Sequence, residues 1–127
     1  MPLVRIALRT GKSPQYRRAI ADGVHRAMVE TLAAPEQDRF QVITEHDENG
    51  LIYDPSYLGI RRSDDVVFVQ ITLSAGRKPT QKREFMARAA ALLAENPGLE
   101  PRNLLINLVE VAWENWSFGE GRAQYTE

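Results

Sequence analysis

The sequence contains no cysteine, which excludes disulfide bonds, zinc–thiolate sites, iron–sulfur clusters and cysteine nucleophiles. No apolar run approaches the ~18 residues of a membrane span, and charged residues interrupt the first strand-like segment, where a signal peptide would be apolar. Neither charge sign is in excess: 16 basic and 17 acidic residues give a formal net charge of −1. Coating nucleic acid or a membrane surface needs a marked basic excess. We therefore expect a cytoplasmic protein that binds neither.

The 127 residues, with 43% hydrophobic and 26% charged side chains, suit one domain with one core. Ser13 before Pro14 is typical of a helix N-cap followed by proline at the first helical position. Apolar periodicity predicts strands over 2–8, 39–45, 66–73 and 104–111, and helices over 14–33 and 79–95. The strand over 66–73 is apolar enough to be buried on both faces. The polar loop 46–65 is long enough to be functional or to hold a short extra element.

The two halves of the chain repeat each other. Gly11 and Gly76 are 65 residues apart, and the same offset relates Lys12 to Arg77 and Pro14 to Pro79. Equivalent roles in the same order indicate a duplicated strand–helix–strand unit. The predicted fold class is therefore α+β, with two tandem β-α-β units forming a four-stranded mixed sheet that carries both helices on one face. The halves are about 2–46 and 66–111, and residues 112–127 form a tail. The uncovered sheet face predicts self-association.

Pro2 is the first candidate for chemistry. Initiator methionine is usually removed before a small residue such as proline, and removal exposes a secondary amine. An α-amino group titrates near pH ~8, so its surroundings can tune it to act as a base or as an acid. The alternative is that Met-Pro is merely a common beginning of a protein.

Pro2 at the head of a strand, Gly11-Lys12-Ser13 before a helix, and the duplication together resemble the tautomerase superfamily. The segment 35–42 (PEQDRFQV) with Glu45-His46, and the later Asn115-Trp116-Ser117-Phe118-Gly119, resemble the malonate semialdehyde decarboxylase branch of that superfamily. The resemblance covers nearly the whole chain outside the 46–65 loop. It implies a fold of strand–helix–strand units and an amino-terminal proline that takes part in catalysis.

The resemblance also implies roles for four further residues. Asp38 stands where the decarboxylase branch keeps an aspartate that activates water or positions a proton; the alternative is a solvated loop carboxylate. Arg77 stands where the family grips a substrate carboxylate, for which the planar guanidinium is suited. The decarboxylase pattern has a second arginine two residues earlier, where this chain has Ala75. Trp116 and Phe118 match the aromatic walls of the family's pocket or, alternatively, serve in packing.

These residues predict a cofactor-independent enzyme, forming a homotrimer, that acts on a small oxo acid. We expect keto–enol tautomerisation, with Pro2, Asp38 and Arg77 catalytic and Trp116 and Phe118 contacting substrate. A malonate semialdehyde decarboxylase or hydratase activity and a non-catalytic trimeric binding protein are the alternatives. Neither histidine has partners at metal-ligand spacing, so we predict no metal site and a structural role for both.

Overall fold

The computed structural model describes residues 2–127, and every predicted helix and strand is present with ends within two residues of the prediction. The first half comprises β1 (Pro2–Arg9), α1 (Pro14–Thr31) and β2 (Gln41–His46), and the second comprises β3 (Val67–Ser74), α2 (Pro79–Glu95) and β4 (Leu104–Val111). The 46–65 loop contains one short 3₁₀ turn, Tyr57–Gly59. No helix within residues 2–127 is both long and apolar enough to cross a membrane.

The beginning and end of α1 have local causes. The Ser13 hydroxyl accepts a hydrogen bond from the Tyr16 amide at 3.0 Å, which confirms the predicted N-cap. The helix ends at Thr31 rather than at residue 33, because Ala33 has a positive φ of 56°. A turn follows, in which the Asp38 amide donates to the Pro35 carbonyl at 3.0 Å. This turn delays the start of β2 to Gln41.

The strand order is β2-β1-β3-β4. β1 pairs in parallel with β2, β3 pairs in parallel with β4, and the central β1–β3 pair is antiparallel. Val4 pairs with Gln41 and Val67 pairs with Leu104, so the partner lies 37 residues further along in both halves. The mixed sheet of two β-α-β units is confirmed, and the duplication extends to the register of the strands.

The core lies between the sheet and both helices. β1 and β3 bury alternate residues against them, joined by one face of each helix; the largest fully buried side chains include Ile6, Ile71, Phe85 and Leu93. The opposite face is open: Val42, Leu105 and Val109 are about two-fifths exposed. The prediction that β3 is buried on both faces is therefore wrong for the single chain. Gln70 is exposed and Phe68 only half-buried, because both helices cover the other face.

Candidate active site

The topology brings the predicted residues to one end of the sheet. Pro2 is buried at the start of β1 and lies opposite Leu73 near the end of the antiparallel β3. β2 runs parallel to β1, and the Val4 amide donates to the Phe40 carbonyl at 3.0 Å, so the segment entering β2 lies beside the start of β1. β4 is parallel to β3, so the tail that follows it begins at the same end.

Arg77 follows β3 and is held by backbone carbonyls. Its Nε donates to the Leu32 carbonyl and its Nη1 to the Ser74 carbonyl, each at 3.1 Å. These bonds fix the half-buried guanidinium between the end of β3 and the end of α1. They leave the donors of Nη2 without a partner among residues 2–127. A guanidinium fixed in this way is preorganised to bind a carboxylate.

Asp38 lies in the turn between α1 and β2 and is partly buried. Its Oδ1 is buried and has no hydrogen-bond partner within residues 2–127. Burial raises the pKa of the Asp38 carboxyl, while the charges of the amino terminus, His25 and Arg77 act in the opposite direction. Asp38 is thus a carboxyl whose ionised form is disfavoured, in electrostatic contact with Arg77. Raised carboxyl pKa values are common among groups that transfer protons.

Aromatic side chains from the tail form a wall beside these groups. Trp116 and Phe118 stack with ring centroids 5.5 Å apart, and Phe118 in turn lies 6.4 Å from Phe40. Trp116 Nε1 donates to the buried Ser74 hydroxyl at 3.0 Å, which fastens the tail to the end of β3. The predicted pair of aromatic residues therefore lies together, at the end of the sheet that carries Arg77.

Tyr125 is a member of this group that the sequence analysis did not identify. Its ring packs edge-on against Phe118 at 5.1 Å and Trp113 at 4.8 Å. Burial raises the pKa of Tyr125, the charge of Asp38 acts in the same direction, and Arg77 opposes both. The phenol therefore lies within electrostatic reach of both ionic groups. A lone tyrosine near the end of a chain has no periodicity or motif that could have indicated this role.

Lys12, which occupies the position in the first repeat that Arg77 occupies in the second, has a different environment. Its ammonium forms an ion pair with Asp65 at 2.6 Å, in a cleft shared with Arg9 and Asp64. The hydrogen bond that the Lys12 ammonium donates to the Asp65 carboxylate raises the pKa of Lys12. The charge of Lys12 is therefore already paired with that of Asp65. Ala75, at the position of the second arginine in the decarboxylase pattern, is exposed.

The geometry assembles a buried proline, a carboxyl with a raised pKa, a fixed guanidinium and an aromatic wall at one end of a sheet. Such a set can bind a small carboxylate at Arg77 and exclude water from the atoms beside it. A proton donor or acceptor at that place would act with strengthened electrostatics, because the surroundings are of low polarity.

Comparison with known proteins gives consistent matches. Two family models, both described as tautomerase enzyme, match residues 38–119 and 2–61. Probable tautomerase YusQ of Bacillus subtilis (strain 168) is 35% identical over 127 residues, which is the full length of both chains.

Two solved structures are similar over nearly their whole length. FG41 malonate semialdehyde decarboxylase inhibited by 3-bromopropiolate is 42% identical with a TM-score of 0.92, covering 98% of this chain and 94% of that one. Another malonate semialdehyde decarboxylase, solved in wild-type, mutant and inactivated forms, is 30% identical with a TM-score of 0.92, covering 98% and 95%.

Proposed function

The chain belongs to the tautomerase family, and from this premise we propose that it is a cofactor-independent enzyme that uses Pro2 for keto–enol proton transfer on a small oxo acid. The observation that carries the proposal is the location of Pro2, Asp38 and Arg77 at one end of the sheet, where the charge of Arg77 acts on Asp38. The similarity to a probable tautomerase over the full chain supports the same reaction class.

In the proposed mechanism, the unpaired donors of Arg77 bind the substrate carboxylate and place the proton-bearing carbon next to the keto group near Pro2. Once Met1 is removed, the neutral Pro2 amine takes a proton from that carbon, and the resulting ammonium returns a proton to the other end of the enolate. Asp38 orients water or relays the proton. Trp116 and Phe118 exclude bulk water, which strengthens the charge interactions in the site. Met1 lies outside the described residues, so its removal is part of the proposal.

Decarboxylation or hydration of a 3-oxo acid is a second candidate. It is favoured by the 42% identity to FG41 malonate semialdehyde decarboxylase and by the partly buried Asp38, whose carboxyl interacts with the charge of Arg77 and would act on water or on the proton. Ala75 favours tautomerisation, because it removes one of the two arginines of the decarboxylase pattern. A trimeric binding protein without turnover would retain the pocket but show neither reaction.

The decisive experiment changes only the group bonded to the Pro2 nitrogen. One protein is cleaved from a fusion so that it begins at Pro2, and its matched control keeps a single glycine before Pro2. The amide in the control has no basic lone pair, so we expect it to lose at least ~10²-fold of the activity on enol acids. Because Pro2 is buried, an added residue could disturb folding, so circular dichroism is used to check that both proteins are folded. Equal activity of the two proteins would contradict a catalytic role for Pro2.

A second experiment separates the two reactions. Wild type and Asp38→Asn are assayed for tautomerisation of enol acids and for decarboxylation of malonate semialdehyde between pH 6 and 9. A tautomerase is expected to keep most of its activity in Asp38→Asn at neutral pH, whereas a decarboxylase that uses Asp38 on water or on the proton is expected to lose roughly 10²–10⁴-fold. Strong wild-type decarboxylation that collapses in the variant, with no tautomerisation in either protein, would establish the second candidate instead.

We further propose that the protein is a homotrimer in which the open sheet face is buried. That face is concave and mixes exposed apolar side chains with Arg5, Gln70 and Asn107. Covering the apolar side chains contributes about 25 cal/mol per Å² of apolar area removed from water. The trimer is the assembly that the family resemblance implies.

A further inference from the structure

His25 is a buried polar residue that the proposed mechanism does not use. It lies in α1 and is 8% exposed. Its Nε2 is 2.9 Å from the carbonyl oxygen of Glu36, in the turn that carries Asp38. A carbonyl oxygen only accepts, so Nε2 carries the proton in both the neutral and the charged imidazole. This hydrogen bond ties the core-facing side of α1 to the turn two residues before Asp38.

The other ring nitrogen has no such partner. His25 Nδ1 and Asp38 Oδ1 are the buried side-chain polar atoms without a hydrogen-bond partner in the part of the chain that the structure describes. Buried polar groups are nearly always paired, because an unpaired one costs about 1–3 kcal/mol. Both exceptions belong to one turn and the helix tied to it. The unpaired buried polar atoms of the described residues therefore lie beside the candidate site rather than throughout the core.

The two residues also interact electrostatically. A positive charge on His25 lowers the pKa of the Asp38 carboxyl, as do the charges of the amino terminus and of Arg77 from the loop after β3. Tyr125 is the titratable group that faces Asp38 from the tail. His25 is thus the titratable contributor that the helix layer provides, since the others lie at the strand ends or in the tail.

From these contacts we infer that His25 is a positioning residue for Asp38: its Nε2–H holds the turn in place, and its imidazole sets the charge environment of the carboxyl. The inference rests on the proposed function for its kinetic consequences only. The position and protonation of Asp38 can be measured without any substrate.

Two substitutions separate tethering from charge. His25→Gln retains an amide donor that can reach the Glu36 carbonyl but cannot titrate, and His25→Leu removes both properties. The matched control is His46→Gln at the opposite end of β2, where His46 Nε2 lies 2.8 Å from the Thr44 hydroxyl. Circular dichroism checks folding. His25→Gln keeps the inference testable if His25→Leu does not fold.

The first measurement is the pH titration of the Asp38 carboxyl by ¹³C NMR, with the resonance assigned by its loss in Asp38→Asn. We expect the Asp38 transition to move to higher pH in His25→Gln, because a nearby positive charge is lost, and to stay in place in His46→Gln. An Asp38 transition unchanged in both His25 variants would overturn the inference, whether or not the protein proves to be a tautomerase.

The second measurement is the pH profile of kcat and KM. We expect His25→Leu to lower kcat by about 10–100-fold with KM changed much less, as when a reacting group is displaced by about 1 Å. His25→Gln is expected to keep most of kcat while the pH limb that reports Asp38 shifts. A wild-type-like kcat and pH profile in both variants would refute the positioning role. An inactive wild type would refute the proposed function and leave the NMR result to decide the inference.

Discussion

The ionised carboxylate of Asp38 should cost the fold stability, and its replacement by asparagine should therefore stabilise the protein at neutral pH. A buried acceptor left unpaired costs about 1–3 kcal/mol, and Oδ1 of Asp38 is such an acceptor. Asparagine presents a similar unpaired oxygen but no charge, and the side chain is only partly buried. We therefore expect Asp38→Asn to raise the free energy of unfolding by about 1 kcal/mol.

The pH dependence follows from the direction of the pKa shift. The folded-state pKa of Asp38 lies above its ordinary value of 3.8, because burial disfavours the charge. Between the unfolded and the folded pKa, the folded state binds more protons, so stability falls as pH rises through that window. The penalty is absent below the unfolded value and complete above the folded one. The advantage of Asp38→Asn over wild type should thus be complete once the pH exceeds the folded-state pKa of Asp38, and it should vanish as pH falls below about 4.

Thermal unfolding at fixed protein concentration measures this effect. For 127 residues, 1 kcal/mol corresponds to a Tm shift of roughly 3–6 °C. Glu84→Gln is the control, since Glu84 is exposed on α2 and forms no ion pair within residues 2–127. The contributions of all other titrating groups are common to both proteins, so they cancel when the free energy of unfolding of wild type is subtracted from that of Asp38→Asn at each pH. An Asp38→Asn protein no more stable than wild type at pH 7, with Glu84→Gln neutral, would refute the reasoning.

Two further predictions concern the tail and the assembly. Trp116→Phe and Ser74→Ala should each lower the free energy of unfolding by about 1–3 kcal/mol, because each leaves one partner of their hydrogen bond unpaired. The double variant should lose less than the sum, since neither partner is then left unpaired. Additive losses in urea unfolding would show that the bond contributes nothing. Sedimentation equilibrium at micromolar concentration should give the mass of a trimer. A charged substitution on the open face, such as Leu105→Glu, should shift the measured mass toward that of the 14.4 kDa monomer. A monomeric wild type would contradict the proposed assembly.

The fold could be predicted from the sequence because its signals are local and occur twice. Ser13-Pro14 and Pro79 mark where helices begin, and the 65-residue offset between equivalent positions links the halves. The prediction that both faces of β3 are buried is wrong for the single chain, because an apolar strand has the same composition whether a helix or another subunit covers its second face. The ends of α1 and β2 depended on the backbone of Ala33 and on the Asp38 turn, which periodicity does not reveal.

The candidate site was only partly predictable. Pro2, Asp38 and Arg77 are predicted from position and resemblance, and the strand register explains why they lie at one end of the sheet. Tyr125 and the tether from His25 depend on how the tail and α1 pack, so they required the structure. A single histidine in a helix is compatible with simple core packing. The structure distinguishes it by an unpaired Nδ1 and by its electrostatic interaction with Asp38, whose Oδ1 is also unpaired among residues 2–127.

The duplication has an unequal outcome for its two copies. Val67 occupies in the second half the place that Pro2 occupies in the first, but its nitrogen is an amide within a continuous chain. The residues just before it supply Asp65, which neutralises Lys12, the counterpart of Arg77. One end of the sheet therefore carries Pro2 from the first copy and the Arg77 guanidinium from the second, whereas at the equivalent place at the other end Lys12 is paired with Asp65. The two units thus share one fold but contribute different parts of the candidate site: the first supplies Pro2 and Asp38, and the second supplies Arg77 and is followed by the aromatic tail.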